Sequence, residues 1–408
     1  MSSFEGKTVC ILGRQPALGL AELESLYGSD HVRPLGPHAL LDLPTEEINF
    51  KNLGGTIKTA RLLAEIPCAD WRKLSTYLIE KVPPYVKDLD AGKFTLGLSV
   101  YGLSVNVKQI EATLLEIKKQ IRKSDRPVRI VPNKQPALNS AQVLHNKLTY
   151  KGAWELLLVE DGSKTLLAQT LFVQDIEAYG ARDQARPARD ARVGMLPPKL
   201  AQIMLNLSAG PLRAKSFESW DSNDGLRRIR VLDPFCGTGV VLQEALLMGY
   251  SVMGTDIDER MVEFSKKNIR WLFEKYPAIE GGVDIEAADA TDYQWPGFSS
   301  ITSELFLGRP LAALPPPDKL KQIVSDANLI TKKFLANLAP QLKDGRPICL
   351  AVPAWRKSGG ELIDLPVLDK LTEMGYNYWD LKHVRREDLV YYREDQVVAR
   401  RLLRLKKA

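Results

Sequence analysis

Hydrophobic and polar positions along residues 1–175 follow two repeating patterns. Short apolar runs at Thr8 to Leu12 and Ala39 to Leu43 flank the amphipathic segment LGLAELESLYG, which predicts a strand, a helix and a strand in a small α/β subdomain. In residues 66–175, WRKLSTYLIEKV and VKQIEATLLEIKKQIRKS have helical spacing, whereas KFTLGLSVYG, VRIVP, AWELLLVE and KTLLAQTLFV are typical of strands. These residues therefore predict an α+β module rather than part of a parallel sheet.

The pattern changes at residue 176. Residues 176–195, DIEAYGARDQARPARDARVG, are small or charged and nearly free of large apolar side chains, which predicts a linker. A helix is expected to begin at Pro197 and Pro198, since proline is tolerated in a first helical turn. From Arg228 onward the order is strand, glycine turn, helix, strand, as in a doubly wound parallel sheet. The last strands, DLVYYRED and QVVARRLLRL, are expected to pair as an antiparallel hairpin at the sheet edge.

The composition narrows the class of protein. A chain of 408 residues with 45% hydrophobic and 26% charged residues is long enough for two or three domains with separate cores. No apolar run approaches the length of about 18 residues that a membrane span needs, and the N-terminus lacks the pattern of a secretory signal, so we predict a cytoplasmic location. The four cysteines and four histidines are scattered. Their spacing predicts neither a disulfide framework nor a metal site.

The net charge of +6 is unevenly distributed. Basic residues outnumber acidic ones between Ser124 and Lys199, and the C-terminal RRLLRLKK forms a second cluster. Such a density neutralises phosphates in nucleic-acid-binding proteins, although a solvated protein face has the same composition. The basic residues of the first region include Arg126, Arg129, Lys134, Lys147, Lys151, Arg182, Arg186, Arg189 and Arg192.

The most informative motif for chemistry is RIRVLDPFCGTGVV. An apolar strand at Ile229 to Leu232 ends in Asp233, and a turn with Gly237 and Gly239 leads into a helix from Val240. Glycines let the backbone approach a ligand closely, and the helix N-terminus offers unpaired N–H groups. The loop is neither a P-loop nor a complete G-x-G-x-x-G motif, and by itself a tight strand-to-helix turn without a ligand would also explain it.

A second strand, Ser251 to Thr255, ends in Asp256, whose carboxylate is placed to bind ribose hydroxyls at the strand C-termini. Together, DPFCGTG and GTDID resemble the first two motifs of class I S-adenosylmethionine-dependent methyltransferases, in particular those that act on exocyclic amines. The resemblance implies S-adenosylmethionine as the cofactor and a Rossmann-like fold for residues 196–408.

The same resemblance assigns individual roles. Asp233, Gly237 and Gly239 would lie around the methionine part of the cofactor, and Asp256 would bind its ribose. The segment AADATDY resembles the motif that contacts the adenine, with Asp289 as a hydrogen-bonding partner, although a strand-end cap is the alternative for this residue. The cofactor-binding residues that the resemblance implies are Asp233, Phe235, Gly237, Gly239, Asp256, Ile257, Asp289, Ala290 and Pro198.

A longer resemblance covers the segment YGARDQARPARDARVGMLPPKLAQIMLNLS. It is similar to the region that precedes the catalytic domain in the archaeal and eukaryotic tRNA guanine-N2 methyltransferases. In that family the N-terminal half carries a THUMP domain that binds the end of tRNA, and ILGRQPALGLAELESL is similar to its N-terminal subdomain. The implied organisation is an N-terminal α/β subdomain (1–65), a THUMP-like RNA-binding domain (66–175), a linker (176–195) and a class I methyltransferase domain (196–408).

The resemblance makes tRNA the expected partner. The linker would supply nucleic-acid contacts through Arg182, Arg186, Arg189 and Arg192. Arginines in a module apart from the reaction centre hold the sugar-phosphate backbone and so select which nucleotide reaches the cofactor. The alternative is that these arginines solubilise the linker and pair with Asp183 and Asp190.

The stretch ITSELFLGRP occupies the position of the catalytic motif, which is usually [DN]-PP-[YF] in amino-methylating enzymes of this kind. In that motif an acid or amide side chain and a proline carbonyl accept the amine hydrogens, and an aromatic ring stacks on the base. Aligned on Gly308, the acid is Glu304, both prolines are absent, and the aromatic residue is Phe306. Ser303 or Thr302 offers a further acceptor. The predicted catalytic residues are thus Glu304, Phe306 and Ser303.

Three functions remain open at this stage. The first is an active tRNA guanine-N2 methyltransferase with a variant motif, acting at the tenth or a neighbouring position of tRNA. The second is a non-catalytic tRNA-binding protein that retains cofactor affinity, and the third is a methyltransferase for another amine, such as adenine N6. The tRNA-type N-terminal half disfavours the third, and the intact cofactor loop favours the first over the second.

Overall fold

The computed structural model describes residues 6–87, 89, 92–190, 195–215, 229–357 and 359–408. The chain divides into two compact units, one of residues 1–16, 30–51 and 56–178, and one of residues 17–29, 52–55 and 179–408. The second unit therefore includes two short N-terminal segments that the sequence analysis had placed in the subdomain of residues 1–65. Among the described residues, no helix combines the length and apolar character needed to cross a membrane.

The first unit is built on a mixed sheet. Its strand order is β2-β3-β1-β4-β8-β7-β5-β6, in which β5 is parallel to β6 and β7 and the other neighbours are antiparallel. This arrangement confirms the prediction that residues 66–175 are not part of a parallel sheet. The strands are β1 (Thr8–Leu12), β2 (Val32–Leu35), β3 (His38–Leu41), β4 (Thr56–Ile66), β5 (Phe94–Tyr101), β6 (Val128–Ile130), β7 (Ala153–Asp161) and β8 (Lys164–Val173).

The first three helices of this half of the chain lie where the apolar spacing predicts them, whereas the next two were not predicted. The helices are α1 (Pro16–Tyr27), α2 (Trp71–Lys87), α3 (Val107–Arg122), α4 (Ser140–His145) and α5 (Ile176–Gln184). Helix α3 starts where Asn106 accepts the Gln109 N–H and the Gln109 side chain returns a bond to the Asn106 N–H, which satisfies two end groups of the helix. Helix α5 occupies the first part of the predicted linker, so this segment is ordered as a helix.

The second unit contains the predicted parallel sheet. Its order is β11-β10-β9-β12-β13-β17-β15; the first five strands are parallel, and β17 and β15 are antiparallel additions. The pairing of β16 with β17 confirms the C-terminal antiparallel hairpin. The strands are β9 (Arg230–Asp233), β10 (Ser251–Asp256), β11 (Val283–Ala287), β12 (Ser300–Glu304), β13 (Pro347–Arg356), β14 (Leu362–Ile363), β15 (Tyr376–Tyr378), β16 (Val390–Tyr391) and β17 (Val398–Lys407).

Apolar side chains cover this sheet on both faces. Successive residues of β9 point to different cores: Val231 belongs to a cluster with α1, α6 and α8, whereas Leu232 packs with α10. Strands buried on both faces are nearly continuously apolar, which is why the sequence indicated a parallel sheet. The helices are α6 (Pro198–Ser208), α7 (Gly210–Lys215), α8 (Val240–Leu247), α9 (Glu259–Lys275) and α10 (Pro317–Leu338).

The strand order reverses at the centre of this sheet. From β9 the chain passes outward through β10 and β11, and it then returns to β12 on the other side of β9. The carboxyl ends of β9 and β12 consequently border a crevice at a topological switch point. In open α/β sheets such crevices are where ligands bind.

A buried carboxylate joins α1 to the rest of the second unit. Both oxygens of Glu22, which is 0% exposed, accept hydrogen bonds: the Gly54 N–H at 2.8 Å, the Gly55 N–H at 2.9 Å and the Asn206 Nδ2 at 2.8 Å. Burial raises the pKa of Glu22 to about 7 even though these donors favour its ionised form. One side chain thus connects α1, the short segment at 52–55 and α6.

We predict that Glu22→Gln lowers the free energy of unfolding by about 2 kcal/mol, because the amide NH2 places a donor against N–H groups that need an acceptor. Urea denaturation followed by circular dichroism measures this change. Glu274→Gln, at an exposed position of α9, is the matched control and should stay within about 0.5 kcal/mol of the parent. Equal stability of the two variants would contradict the joining role of Glu22.

Candidate active site

The loop after β9 is open at Gly237 and closely packed at Gly239. Gly237 has a φ of +52°, and a Cβ placed there would meet no heavy atom within 4 Å, so the space above it is open. Gly239 has a φ of +82° at the N-cap of α8, where a Cβ would lie 2.9 Å from the Ser265 Oγ. Gly237 therefore leaves room for close approach of another molecule, whereas at Gly239 the lack of a side chain allows α8 to pack near Ser265.

Asp256, at the end of β10, faces this loop. Its carboxylate accepts the Gly237 N–H at 2.9 Å and the Asp258 N–H at 3.0 Å. Burial raises the pKa of Asp256, and the two N–H donors oppose that shift. The next residue, Ile257, is 72% exposed, an unusual position for a large apolar side chain and one that suits a planar ligand beside the loop.

The predicted adenine motif follows β11 along the same edge of the sheet. The Asp289 Oδ1 accepts the Thr291 N–H at 2.9 Å and the Thr291 hydroxyl at 2.8 Å, so one carboxylate oxygen caps the local turn. Ala290 is buried, and Phe235 packs edge-on against Phe334 with ring centroids 5.1 Å apart. Asp289 therefore stabilises the turn that follows β11.

Ser303 bridges the switch point. Its hydroxyl donates to the Asp233 Oδ1 at 2.6 Å, linking the ends of β12 and β9, and both side chains are buried. Burial raises the pKa of Asp233 to about 7, and the nearby negative charges of Asp256 and Glu304 raise it further, whereas the Ser303 bond lowers it. The structure thus brings the predicted catalytic Ser303 into contact with the predicted cofactor residue Asp233.

Glu304 lies at the end of β12 and forms an ion pair that the sequence analysis missed. The Arg400 Nε of β17 donates to the Glu304 Oε1; Arg400 is 5% exposed and the Glu304 side chain is 15% exposed. Burial raises the pKa of Glu304, and the Arg400 charge opposes that shift. Arg400 belongs to the C-terminal RRLLRLKK, which the sequence analysis interpreted as a basic surface and not as the source of a buried ion pair.

The residues after Glu304 show what replaces the missing prolines. Leu305 is buried, and its N–H donates to the Ala351 carbonyl at 2.9 Å, which extends the pairing of β12 with β13 by one residue. A proline at this position has no N–H to donate. Phe306 is 44% exposed, and Gly308 completes the turn with a φ of +80°. Phe306 is therefore accessible for stacking on a base.

The linker arginines differ from the prediction that they face nucleic acid. The Arg182 Nε pairs with the buried Glu244 at 2.8 Å, and the Arg186 Nη1 donates to the Thr238 Oγ1 at 3.3 Å, with Arg186 only 3% exposed. Arg182 thus supplies the ion-pair partner of the buried Glu244, and Arg186 adds a second nearby positive charge. Arg189 is exposed, and Arg192 lies outside the described residues.

Residues 186–190 of the predicted linker border the glycine loop. The Asn268 side chain of α9 accepts the Ala188 N–H at 2.9 Å and donates to the carbonyls of Ala188 at 2.9 Å and Thr238 at 2.8 Å. Pro198, buried in the first turn of α6, follows the same segment. Residues 186–190 thus form a wall beside the loop rather than a free connection.

No protein-family model matches the chain. A protein named tRNA (guanine(10)-N2)-dimethyltransferase from Methanothermobacter thermautotrophicus is 31% identical over 217 residues, which are 51% of this chain and 54% of the relative. A protein of the same name from Pyrococcus abyssi is 30% identical over 162 residues, 39% of each chain. The matched stretches thus span about half or less of these relatives.

Solved structures are similar over nearly the whole chain. TrmN from Thermus thermophilus matches 98% of this chain and 99% of its own, with a TM-score of 0.52 and 17% sequence identity. A putative methyltransferase complexed with SAH, SMU.472, matches 99% of this chain and 98% of its own, with a TM-score of 0.52 and 13% identity. At these identities the likeness shows the fold alone, and it confirms the predicted mixed α/β chain with a Rossmann-like unit.

We predict that Ser303→Ala destabilises the protein more at pH 8 than at pH 5. Burial raises the pKa of Asp233 in the folded protein to about 7, whereas its pKa in the unfolded chain is about 4. The stabilising contribution of the protonated Asp233 is therefore complete below about pH 4 and is lost as the pH rises through 7. Above pH 7 the ionised Asp233 depends on the Ser303 donor. The expected loss in the free energy of unfolding is about 2 kcal/mol at pH 8 and about 1 kcal/mol at pH 5, measured by urea denaturation.

Ser300→Ala is the matched control, since the Ser300 Oγ lies on the same strand, is buried, and has no hydrogen-bond partner among the described residues. We expect it to leave stability unchanged or slightly higher at both pH values. A Ser303→Ala effect that is independent of pH would show that the bond to Asp233 does not depend on the charge of the aspartate.

Proposed function

We propose that the protein is an S-adenosylmethionine-dependent methyltransferase that transfers a methyl group to the exocyclic N2 of a guanine in tRNA. The observation that carries the proposal is the switch-point crevice, where the glycine loop and Asp256 border one side and Glu304 and Phe306 border the other. The relatives named tRNA (guanine(10)-N2)-dimethyltransferase support the choice of substrate. Because the match spans only 54% of the first relative, the activity of that whole protein is carried over as a proposal.

The residues that border the crevice suit S-adenosylmethionine in their donor and acceptor chemistry. Open space above Gly237 admits the amino-acid part of the cofactor beside Asp233, whose carboxylate suits its ammonium group. Asp256 carries acceptor oxygens at the strand end, where ribose hydroxyls need them. Exposed Ile257 and buried Ala290 offer apolar contacts for the adenine. Phe235 and Pro198 complete the proposed set from the flanking loop and α6.

The proposed reaction is a single displacement. S-adenosylmethionine supplies a methyl group activated by its sulfonium. The guanine N2 lone pair forms the new N–C bond as the S–C bond breaks, the sulfur keeps that electron pair, and the amine loses one proton. This nitrogen is a poor nucleophile because its lone pair is delocalised into the ring. Holding the amine in line with the methyl group is therefore the main task of the protein.

Glu304 and Phe306 perform this positioning. A Glu304 carboxylate oxygen accepts an amine hydrogen, which turns the lone pair towards the methyl group, and it receives the proton that is released. Phe306, half exposed at the edge of the crevice, stacks on the guanine. Ser303 acts one residue earlier through its bond to Asp233, so its contribution is to hold the two sides of the crevice together.

We also propose that the first unit binds tRNA. In this assignment residues 1–65 form the N-terminal subdomain, residues 66–175 the THUMP-like domain, residues 176–195 the linker and residues 196–408 the catalytic domain. Arg129, Lys134 and Lys147 are exposed, and the neighbouring Tyr150 is 65% exposed, which is the combination of cations and an aromatic ring that RNA-binding surfaces use. Exposed Arg189 is the linker residue that best suits a phosphate contact. A tRNA substrate also accords with the predicted cytoplasmic location.

We predict that the protein, incubated with S-adenosylmethionine and unmodified tRNA, forms N2-methylguanosine detectable by mass spectrometry of nucleosides. Asp256→Ala should weaken cofactor binding in calorimetry by about tenfold or more, because the ribose loses a charged acceptor. Glu304→Ala should leave cofactor binding within about twofold and lower methyl transfer by about 100-fold or more.

Glu274→Ala, exposed on α9, is the control for both measurements. Methyl transfer by Glu304→Ala at the parent rate would remove the assigned role of this acid. Bound tRNA without methylguanosine would favour the non-catalytic alternative, and methyladenosine as the product would favour the adenine alternative.

We predict that the triple variant Arg129→Glu, Lys134→Glu and Lys147→Glu binds tRNA about tenfold more weakly or worse. Because three phosphate contacts are lost, the slope of log K against log salt concentration should become shallower by roughly 2 to 3. Fluorescence anisotropy of labelled tRNA between about 50 and 200 mM salt provides the measurement. The control reverses three exposed charges of α2: Arg72, Lys73 and Lys81. Equal losses in the two triple variants would mean that net charge, rather than this surface, governs binding.

A further inference from the structure

The ion pair between Arg400 and Glu304 lies beside the crevice, at the carboxyl end of β12. Glu304 ends β12 at the crevice, and 96 residues separate it from Arg400 along the chain. The Arg400 side chain is 6% exposed and the Glu304 side chain 15%, so the acid is the more accessible member of the pair. A buried ion pair adds little net stability over apolar residues of similar volume, so its presence at this point calls for another role.

The sheet register explains how the two residues meet. Glu304 pairs with Ala351 of β13, and Ala351 in turn pairs with Leu402 of β17, so these three residues project from one face of the sheet. Arg400 is two residues from Leu402 and shares that face. The guanidinium reaches Glu304 across β13, where the small side chain of Ala351 leaves room.

The charges around Glu304 make Arg400 its counterion. Asp233, on β9, adds a nearby negative charge that disfavours a second carboxylate. Burial also favours the neutral form of Glu304, and Arg400 supplies both the hydrogen bond and the positive charge that oppose these effects. The Arg400 guanidinium also lies 5.9 Å from the centre of the Tyr391 ring, within the range of a cation–π contact.

We propose that Arg400 is a positioning residue for the methyl-transfer step: it holds Glu304 as a carboxylate by binding Oε1 and so leaves Oε2 to accept the amine hydrogen of the target base. This inference rests on the proposed function and extends it to a residue outside the catalytic motif. In the usual motif an acid or amide acts with a proline carbonyl. Here the prolines are absent, and the guanidinium orients the single acid that remains.

The test compares the kinetics of Arg400→Met, Arg400→Lys and the parent on unmodified tRNA between pH 5.5 and 9. With Arg400→Met, kcat at pH 7 should fall by about 100-fold, while KM for S-adenosylmethionine stays within about twofold. Without the counterion Glu304 holds its proton to higher pH, so the acid limb of the kcat profile should move upward. Arg400→Lys should restore part of the rate and return the acid limb towards that of the parent.

Arg401→Met is the matched control, because Arg401 is the next residue on the same strand and pairs with Asp364 at 2.6 Å, outside the crevice. It should keep the kcat and pH profile of the parent. Combining Arg400→Met with Glu304→Gln separates positioning from folding: if Arg400 acts through Glu304, the double variant should be no slower than Glu304→Gln alone.

Three results would overturn the inference. These are an Arg400→Met variant with the parent kcat and profile, a rate loss without any shift of the acid limb, or a further loss in the double variant. A parent enzyme that forms no methylguanosine would instead remove the proposed function, and this inference with it. An active parent with an unaffected Arg400→Met variant would remove this inference alone.

Discussion

The hydrogen bond from Ser303 to Asp233 is the contact on which the candidate site depends. This bond lies between β9 and β12, where the strand order of the parallel sheet reverses. It joins the strand that precedes the glycine loop to the strand that ends in the variant motif. Side chains alternate between the faces of a strand, so fixing Ser303 on one face also fixes Glu304 on the other. This buried bond of 2.6 Å adds a side-chain link between the two halves of the site to the backbone pairing of β9 with β12.

The second unit stabilises its buried carboxylates with hydrogen-bond donors of two kinds, backbone N–H groups and side chains. At Glu22 the donors are the N–H groups of Gly54 and Gly55. A Cβ on Gly54 would collide with the Lys199 carbonyl, and one on Gly55 with the Gly19 backbone, so glycine is required at both positions for the chain to approach so closely. At Glu244 the donor is instead a side chain, the Arg182 guanidinium of the predicted linker, which binds Oε1.

Local patterns predicted much of this architecture because they depend on neighbours in sequence. The strand ending at Asp233, the helix beginning at Val240 and the helix beginning at Pro198 were all placed correctly. The antiparallel pairing of the last strands was also predicted, because two apolar runs lay close together along the chain.

Local sequence patterns could not predict contacts between residues that are far apart along the chain. The partner of Glu304 lies 96 residues away, and only the register of β17 on β13 selects Arg400 rather than Arg401. The inward positions of Arg182 and Arg186 depend on Glu244, whose burial no local pattern announces. For the same reason the sequence could not show that α1 packs with the second unit.

The N–H of Leu305, bonded to the Ala351 carbonyl, limits which residues this position accepts. A proline here has no N–H to donate, so it would leave the Ala351 carbonyl without this bond and shorten the pairing of β12 with β13 by one residue. The residue before a proline is also restricted in its backbone conformation, and that residue is Glu304. A change to proline at position 305 would therefore act on the strand end and on the acid beside it at the same time.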